Sequence, residues 1–165
     1  FMTHGDAAAY CPFAYGYSNY SRPGYARKPL LAGGLVTFNG QRLRSTLGGA
    51  GLAVSARTKH PEVCMEYAAF NASPEIQKGL YFQSGGQPGH RAAWLDEEVN
   101  AACGSFFHNT LETLDEALLR PRYSGYMRFQ NQASPVAHRC VAGETSIAQT
   151  IDEMNRLYRE SRIEK

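Results

Sequence analysis

The apolar residues of this 165-residue chain change their period near His60, and that change limits the fold more than any other feature. Up to about residue 55 the sequence mixes glycine, tyrosine and proline with short apolar clusters. Within it, "GGLVTF" and "GLAVS" read as short strands separated by turns. From His60 the spacing is helical. Pro61 suits a first helical turn, and Val63, Cys64, Tyr67 and Phe70 recur at helical intervals. Ser73 as N-cap and Pro74 behind it start a second helix, which Gly85 ends. Further helices are predicted from about Asp96, from about Ser105 to Leu119 with Pro121 as the stop, and through "RFQNQASPVAHRCVAG" despite Pro135. The closing "ETSIAQTIDEMNRLYRESR" is amphipathic. Ile147, Ile151, Met154 and Tyr158 share the face expected to dock, and Asp152, Glu153, Arg156 and Arg159 populate the other.

With 43% hydrophobic and 19% charged residues, the chain has the apolar material for one ordinary core, which excludes global disorder. Seventeen basic against fifteen acidic residues leave a near-neutral balance without the stripe of charge that a phosphate backbone needs, so no nucleic-acid partner is expected. No run approaches the roughly 20 apolar residues of a membrane-crossing helix; "PLLAGGLVTF" is short and broken by two glycines. The first ten residues lack the basic and apolar regions of a secretory signal, and a phenylalanine precedes the first methionine, which reads as a processed or truncated product.

Cys11, Cys64, Cys103 and Cys140 are widely spaced and form no CxxC pair, so a zinc site is not expected. Cys64 and Cys140 lie in helix-like apolar patterns that predict buried thiols, with up to two disulfides as the alternative. The five histidines show no HExxH or paired-ligand spacing, and neither a GxSxG elbow nor a P-loop is present. The expectation is therefore a protein without catalytic residues, cofactor or metal.

Four stretches carry recognition chemistry. "YGYSNYSRPGYAR", from Tyr15 to Arg27, offers four phenol rings. "LGGAGLAVS", from Leu47 to Ser55, lacks the spacing of a phosphate loop; it is either a sharp chain crossing or a place where backbone meets ligand. "SGGQPGHRAAW" combines Gln87, Arg91 and Trp94 in one loop. It serves either as an indole platform with directional donors or as a helix connection with Trp94 packed inside. "LRPRYSGYMRF" repeats arginine, tyrosine and glycine, as a solvated loop or as another wall of the same cleft.

In order and spacing, "CPFAYGYSNYS", then "LGGAGLAVSARTKHPEVCMEYAAFNASPEIQKGLYFQSGGQP", then "RPRYSGY" and the closing helix resemble the C-terminal portion of the extracellular solute-binding proteins of bacterial carbohydrate ABC transporters. That family includes the maltose-binding proteins. The resemblance implies the helix-rich C-terminal part of a two-lobed α/β clamshell of the periplasmic-binding-protein type (type II-like), found in the periplasm or outside the cell. Such a protein holds a sugar between its lobes and hands it to membrane permease subunits, with no enzyme chemistry. It further implies that residues 1–51 and about 101–165 belong to the C-terminal lobe and about 52–100 to the N-terminal lobe. Two lobes of roughly 100 to 200 residues each exceed this chain, so the N-terminal portion of the receptor is an expected partner.

Carried over residue by residue, the resemblance implies sugar contacts at Tyr15, Tyr17, Asn19 and Tyr20, and backbone approach at Gly48, Gly49, Ala50 and Gly51. Gln87, Arg91, Trp94, Arg122 and Tyr123 are looser candidates. Ala50 departs from the pattern, because many relatives place a sugar-stacking tryptophan in that slot. Here stacking falls to the tyrosines, or the ligand differs. Sheet edges left unpaired by a missing half predict self-association, and a ligand-free protein-interaction module derived from the same fold is the alternative function. A glycosidase would need two carboxylates about 5 to 10 Å apart across a cleft, whereas the acids lie mainly at helix termini and on polar faces.

Overall fold

Capping chemistry sets where the helices begin. In the computed structural model, which describes residues 8–11 and 14–162, helix α1 spans Pro61–Ala72 with proline in its first turn, as predicted. Ser73 then acts twice. Its Oγ donates to the Phe70 carbonyl at 2.8 Å to close α1, and accepts from the Ile76 amide at 3.4 Å to open α2, Pro74–Lys78. The single helix predicted from Ser73 to Gly85 is broken at Gly79, whose φ of −93° and ψ of −105° are not helical; α3 resumes at Leu80–Gln83. Gly85, at φ +92°, ends it in the left-handed region that glycine enters without a Cβ clash.

Helices α4, Arg91–Trp94, and α5, Glu97–Ala101, follow. Asp96 caps α5, its Oδ1 accepting from the amides of Glu98 at 3.1 Å and Val99 at 3.0 Å. These N–H groups, the Val99 one above all, hold its carboxyl below the usual aspartate value, with Lys78 at 3.4 Å assisting. Helix α6, Phe106–Asp115, stops four residues before the predicted Leu119. The reason is a competing partner: the Leu118 amide donates to the Ser45 carbonyl at 2.7 Å, and the Leu47 amide donates to the Leu118 carbonyl at 2.8 Å.

Of the two predicted strands, "GGLVTF" is reduced to β1, Thr37–Phe38, which pairs antiparallel with β2, Gln41–Arg42. Asn39 and Gly40, at φ 50° and 75°, form the two-residue turn that matches strand twist. "GLAVS" forms no strand. It finds no neighbouring strand to complete its backbone bonds, and Leu52 and Val54 stand exposed. The result is a helix-rich mixed α/β structure with, among the described residues, one small sheet.

The chain divides into two compact units, one ending at Leu118 and the next beginning at Leu119. The described residues up to 118 therefore share one unit, although the resemblance divides them at 51 and 100 between two lobes. The core of this unit is aromatic. Phe107, fully buried, meets Trp94 at 4.9 Å, Phe106 at 5.2 Å and Phe82 at 6.0 Å between ring centroids, all edge to face, with Val99 and Cys103 filling the gaps. The buried Asn100 side chain ties the surrounding helices together. Its amide donates to the carbonyls of Trp94 and Asp96, and its Oδ1 accepts from the His108 amide at 2.8 Å.

Cys103 is the buried thiol, and burial pushes its pKa up. Cys64 and Cys140, predicted to be buried, are only half-buried, because α1 has no buried residue and the Cys140 face of its helix is partly open. Cys64, Cys103 and Cys140 are free thiols.

The second unit is a pair of helices, α7 at Tyr126–Val141 and α8 at Ile147–Ser161, joined by a short loop and packed through Ala133, Val136, Leu157, Phe129 and Met154. Pro135 is accommodated within α7, as predicted. Ser146 and Gln149 cap α8 reciprocally. Its docked stripe keeps Met154 and Tyr158 of the predicted face but is turned from the rest: Thr150, Leu157 and Ser161 are buried, while Ile147 and Ile151 are 72% and 52% exposed. A close approach fixes the rotation, since the backbone of Ser161 sits against Gly125 where any Cβ would stand.

Candidate functional site

The tyrosine segment inverts the ordinary placement of residue types. Ser18 and Ser21 in the 3-10 turn Ser18–Ser21 are buried, whereas Tyr15, Tyr17 and Tyr20 are 62%, 60% and 41% exposed. The backbone is anchored so firmly that the phenol rings are left outside. Gln87 grips it from both sides, its Oε1 accepting from the Ser18 amide at 2.8 Å and its Nε2 donating to the Gly16 carbonyl at 3.1 Å. Gly16 runs flush against the core, so an added Cβ would lie 3.1 Å from the Phe106 ring. Beyond the turn, Arg22 inserts over the Phe82 ring and donates to the carbonyls of Phe82 at 2.6 Å and Gly86 at 2.9 Å. The Oγ of Ser18 and the Oδ1 of Asn19 are buried without a hydrogen-bond partner among the described residues.

The glycine run comes up beside this segment. A Cβ on Gly48 would meet the Tyr15 ring at 3.7 Å, so the ring lies along bare backbone, while Gly49 and Gly51 have open space around them and Ala50 is exposed. The approach is fixed from behind. Thr46 bridges in parallel to Leu118, the Arg44 Nε donates to the Glu116 carbonyl at 2.6 Å, and Arg42 pairs with Glu112. Tyr15, Gly48 and Gln87, far apart in sequence, are thus brought into one neighbourhood.

Other candidates are engaged elsewhere. Arg91 spends its fork on Asp115, at 2.6 and 2.8 Å, and the guanidinium holds that carboxyl below the usual aspartate value. Trp94 is a core residue, its Nε1 donating to the buried Pro88 carbonyl at 2.8 Å, so its indole face is packed instead of offered. Arg122 and Tyr123 lie in the second unit. There the Tyr123 hydroxyl meets the Ser161 Oγ at 2.8 Å, its ring packs edge-on against Tyr126 and Tyr158, and Arg122 is exposed.

Arg22 and Gly16 escaped the sequence reading. The one available signal was an arginine followed directly by proline inside the tyrosine segment, which marks a fixed turn more than a solvated charge. Among the described residues no group of three His, Cys, Asp or Glu side chains could hold a metal ion, and no helix is long and apolar enough to cross a membrane. No protein-family model matches the chain, and no curated protein matches it.

Proposed function

We propose that this chain is the carbohydrate-binding C-terminal portion of a solute receptor serving an ABC importer, and that Tyr15, Tyr17 and Tyr20 with the backbone of Gly48–Gly51 form one wall of its sugar site. The observation that carries the reading is the Tyr15 ring laid along the bare backbone of Gly48, on a segment that Gln87 pins in place. Sugar rings present flat C–H faces edged by hydroxyls. Exposed phenol rings suit the faces, and unobstructed peptide groups suit the hydroxyls. Arg91, engaged with Asp115 at the surface, and Trp94, packed in the core, are left out of the contact set. Closure of a second lobe over this wall, delivery to permease subunits and a periplasmic or extracellular setting belong to the same reading and rest on the motif order.

The test is isothermal titration of the full chain against a panel of mono- and oligosaccharides. At least one sugar should bind, and Tyr15→Ala should weaken it about five- to tenfold, the loss of one ring contact. Absence of heat with every sugar would overturn the reading.

A second reading has its own observation. Helix α1 is apolar over most of its circumference, Glu62, Glu66 and Asn71 excepted, yet none of its residues is buried. A helix of that kind is ordinarily covered, which supports a protein-interaction module or self-association. Association that rises with concentration and ignores sugar would favour it.

A further inference from the structure

We infer that the ligand of the tyrosine wall is an anionic carbohydrate, a sugar carrying a carboxylate, instead of a neutral one; the inference rests on the proposed sugar-binding function. Between Asp6 and Glu62 the sequence has seven lysines and arginines and no acid, in a chain whose net charge is only +2. Every residue of the proposed wall falls inside that stretch.

Part of this charge is used internally. Arg22 is turned inward onto two carbonyls and the Phe82 ring, Arg42 pairs with Glu112, and Arg44 donates to the Glu116 carbonyl. The loop from Tyr20 to Leu30 leaves Arg27 exposed. Its ends are tied by the Leu30 amide donating to the Tyr20 carbonyl at 2.8 Å and by the Ser21 Oγ donating to the Leu30 carbonyl at 2.7 Å. On the closed loop Tyr20 and Tyr25 stand edge to face with centroids 5.4 Å apart, both exposed, and Arg27 is exposed beyond them. Two phenol rings with a guanidinium on the same short loop, and no carboxylate within it, match a sugar ring bearing a negative charge. A neutral sugar offers the cation only hydroxyl acceptors, whereas a uronate offers a carboxylate for charge-assisted hydrogen bonds to the guanidinium fork.

The experiment titrates the full chain with a trigalacturonate, with its fully methyl-esterified counterpart, and with a single-stranded oligonucleotide of matched charge, at low and high salt. The uronate should bind about tenfold more tightly than the ester at low salt, and the gap should narrow as screening shortens the reach of the charge. Arg27→Gln should erase most of that gap by weakening the uronate more than the ester. Equal affinity for uronate and ester overturns the anionic inference but leaves the sugar-binding function standing. Binding of neither overturns both. Tighter binding of the oligonucleotide overturns the carbohydrate assignment. The salt series on the unaltered chain separates these outcomes even if the variant does not fold.

Discussion

The Arg22 guanidinium lies 3.9 Å from the centroid of the Phe82 ring and donates at 2.6 Å to the carbonyl oxygen of the same residue. One side chain thereby meets both the face and the backbone of its neighbour, and with its second bond to Gly86 it fastens the tyrosine segment onto α3. Arg22→Ala removes the partner of two carbonyls and is expected to cost about 2 to 4 kcal/mol. Arg22→Lys should recover less than half, because an ammonium cannot reproduce the planar fork. Urea unfolding followed by the emission of Trp94, the only tryptophan, measures both; a loss below about 1 kcal/mol for the alanine variant would show that the contact is incidental.

Gln87 is expected to act on position more than on stability. Gln87→Ala deletes the acceptor of the Ser18 amide and the donor to the Gly16 carbonyl, at a predicted cost of about 1 to 2 kcal/mol. The direct readout is hydrogen exchange at Ser18, whose amide should lose most of its protection while the Asn100 amide, in the core, keeps its own. Unchanged protection at Ser18 would remove Gln87 from its positioning role.

In the second unit the sensitive position is Gly125. A Cβ there runs into the Ser161 carbonyl, which is backbone and cannot swing away. Gly125→Ala should destabilise the α7 and α8 pair by about 2 kcal/mol or more. Faster exchange of the amides in Tyr126–Val141 and Ile147–Ser161 would report it, and wild-type protection would contradict the close approach.

Acid should weaken the first unit through Asp96 and Asp115. Both carboxyls have folded pKa values below the ordinary aspartate value, Asp96 chiefly through the Val99 amide and Asp115 through Arg91. A depressed carboxyl contributes its full stability above its unfolded pKa and loses it as pH falls through the folded one. Asp96→Asn retains a capping oxygen but cannot titrate, so its urea midpoint should match the parent near neutrality and fall less steeply below about pH 4. Parallel acid limbs for variant and parent would rule out a linked Asp96.

Local signals carried much of this architecture. Pro61, the Ser73–Pro74 pair and Asp96 act on their own next few residues, and each begins a helix where the sequence places one. Endings decided by distant partners were not legible. Nothing near Leu118 announces that Ser45 and Leu47 will claim its backbone, nor does the sequence around Gly79 show that one helix becomes two. On α8, Met154 and Tyr158 dock as the apolar spacing places them, but Ile147 and Ile151 do not, because the close approach of Gly125 and Ser161 sets the rotation. For the candidate site, the tyrosine and glycine runs marked residues that stand exposed. The roles of Gln87, Trp94 and Arg91 depended on which carbonyl, ring or carboxylate each one reached.

The joint between Gln87 and the Gly16–Ser18 backbone is made of neutral groups alone, an amide side chain and two peptides. It has no proton to gain or lose and little for dissolved ions to shield. Acidification or brine that loosens Arg91 from Asp115 leaves this clasp untouched, so the tyrosine wall keeps its register across changes in the surrounding fluid for as long as the aromatic core beneath it holds.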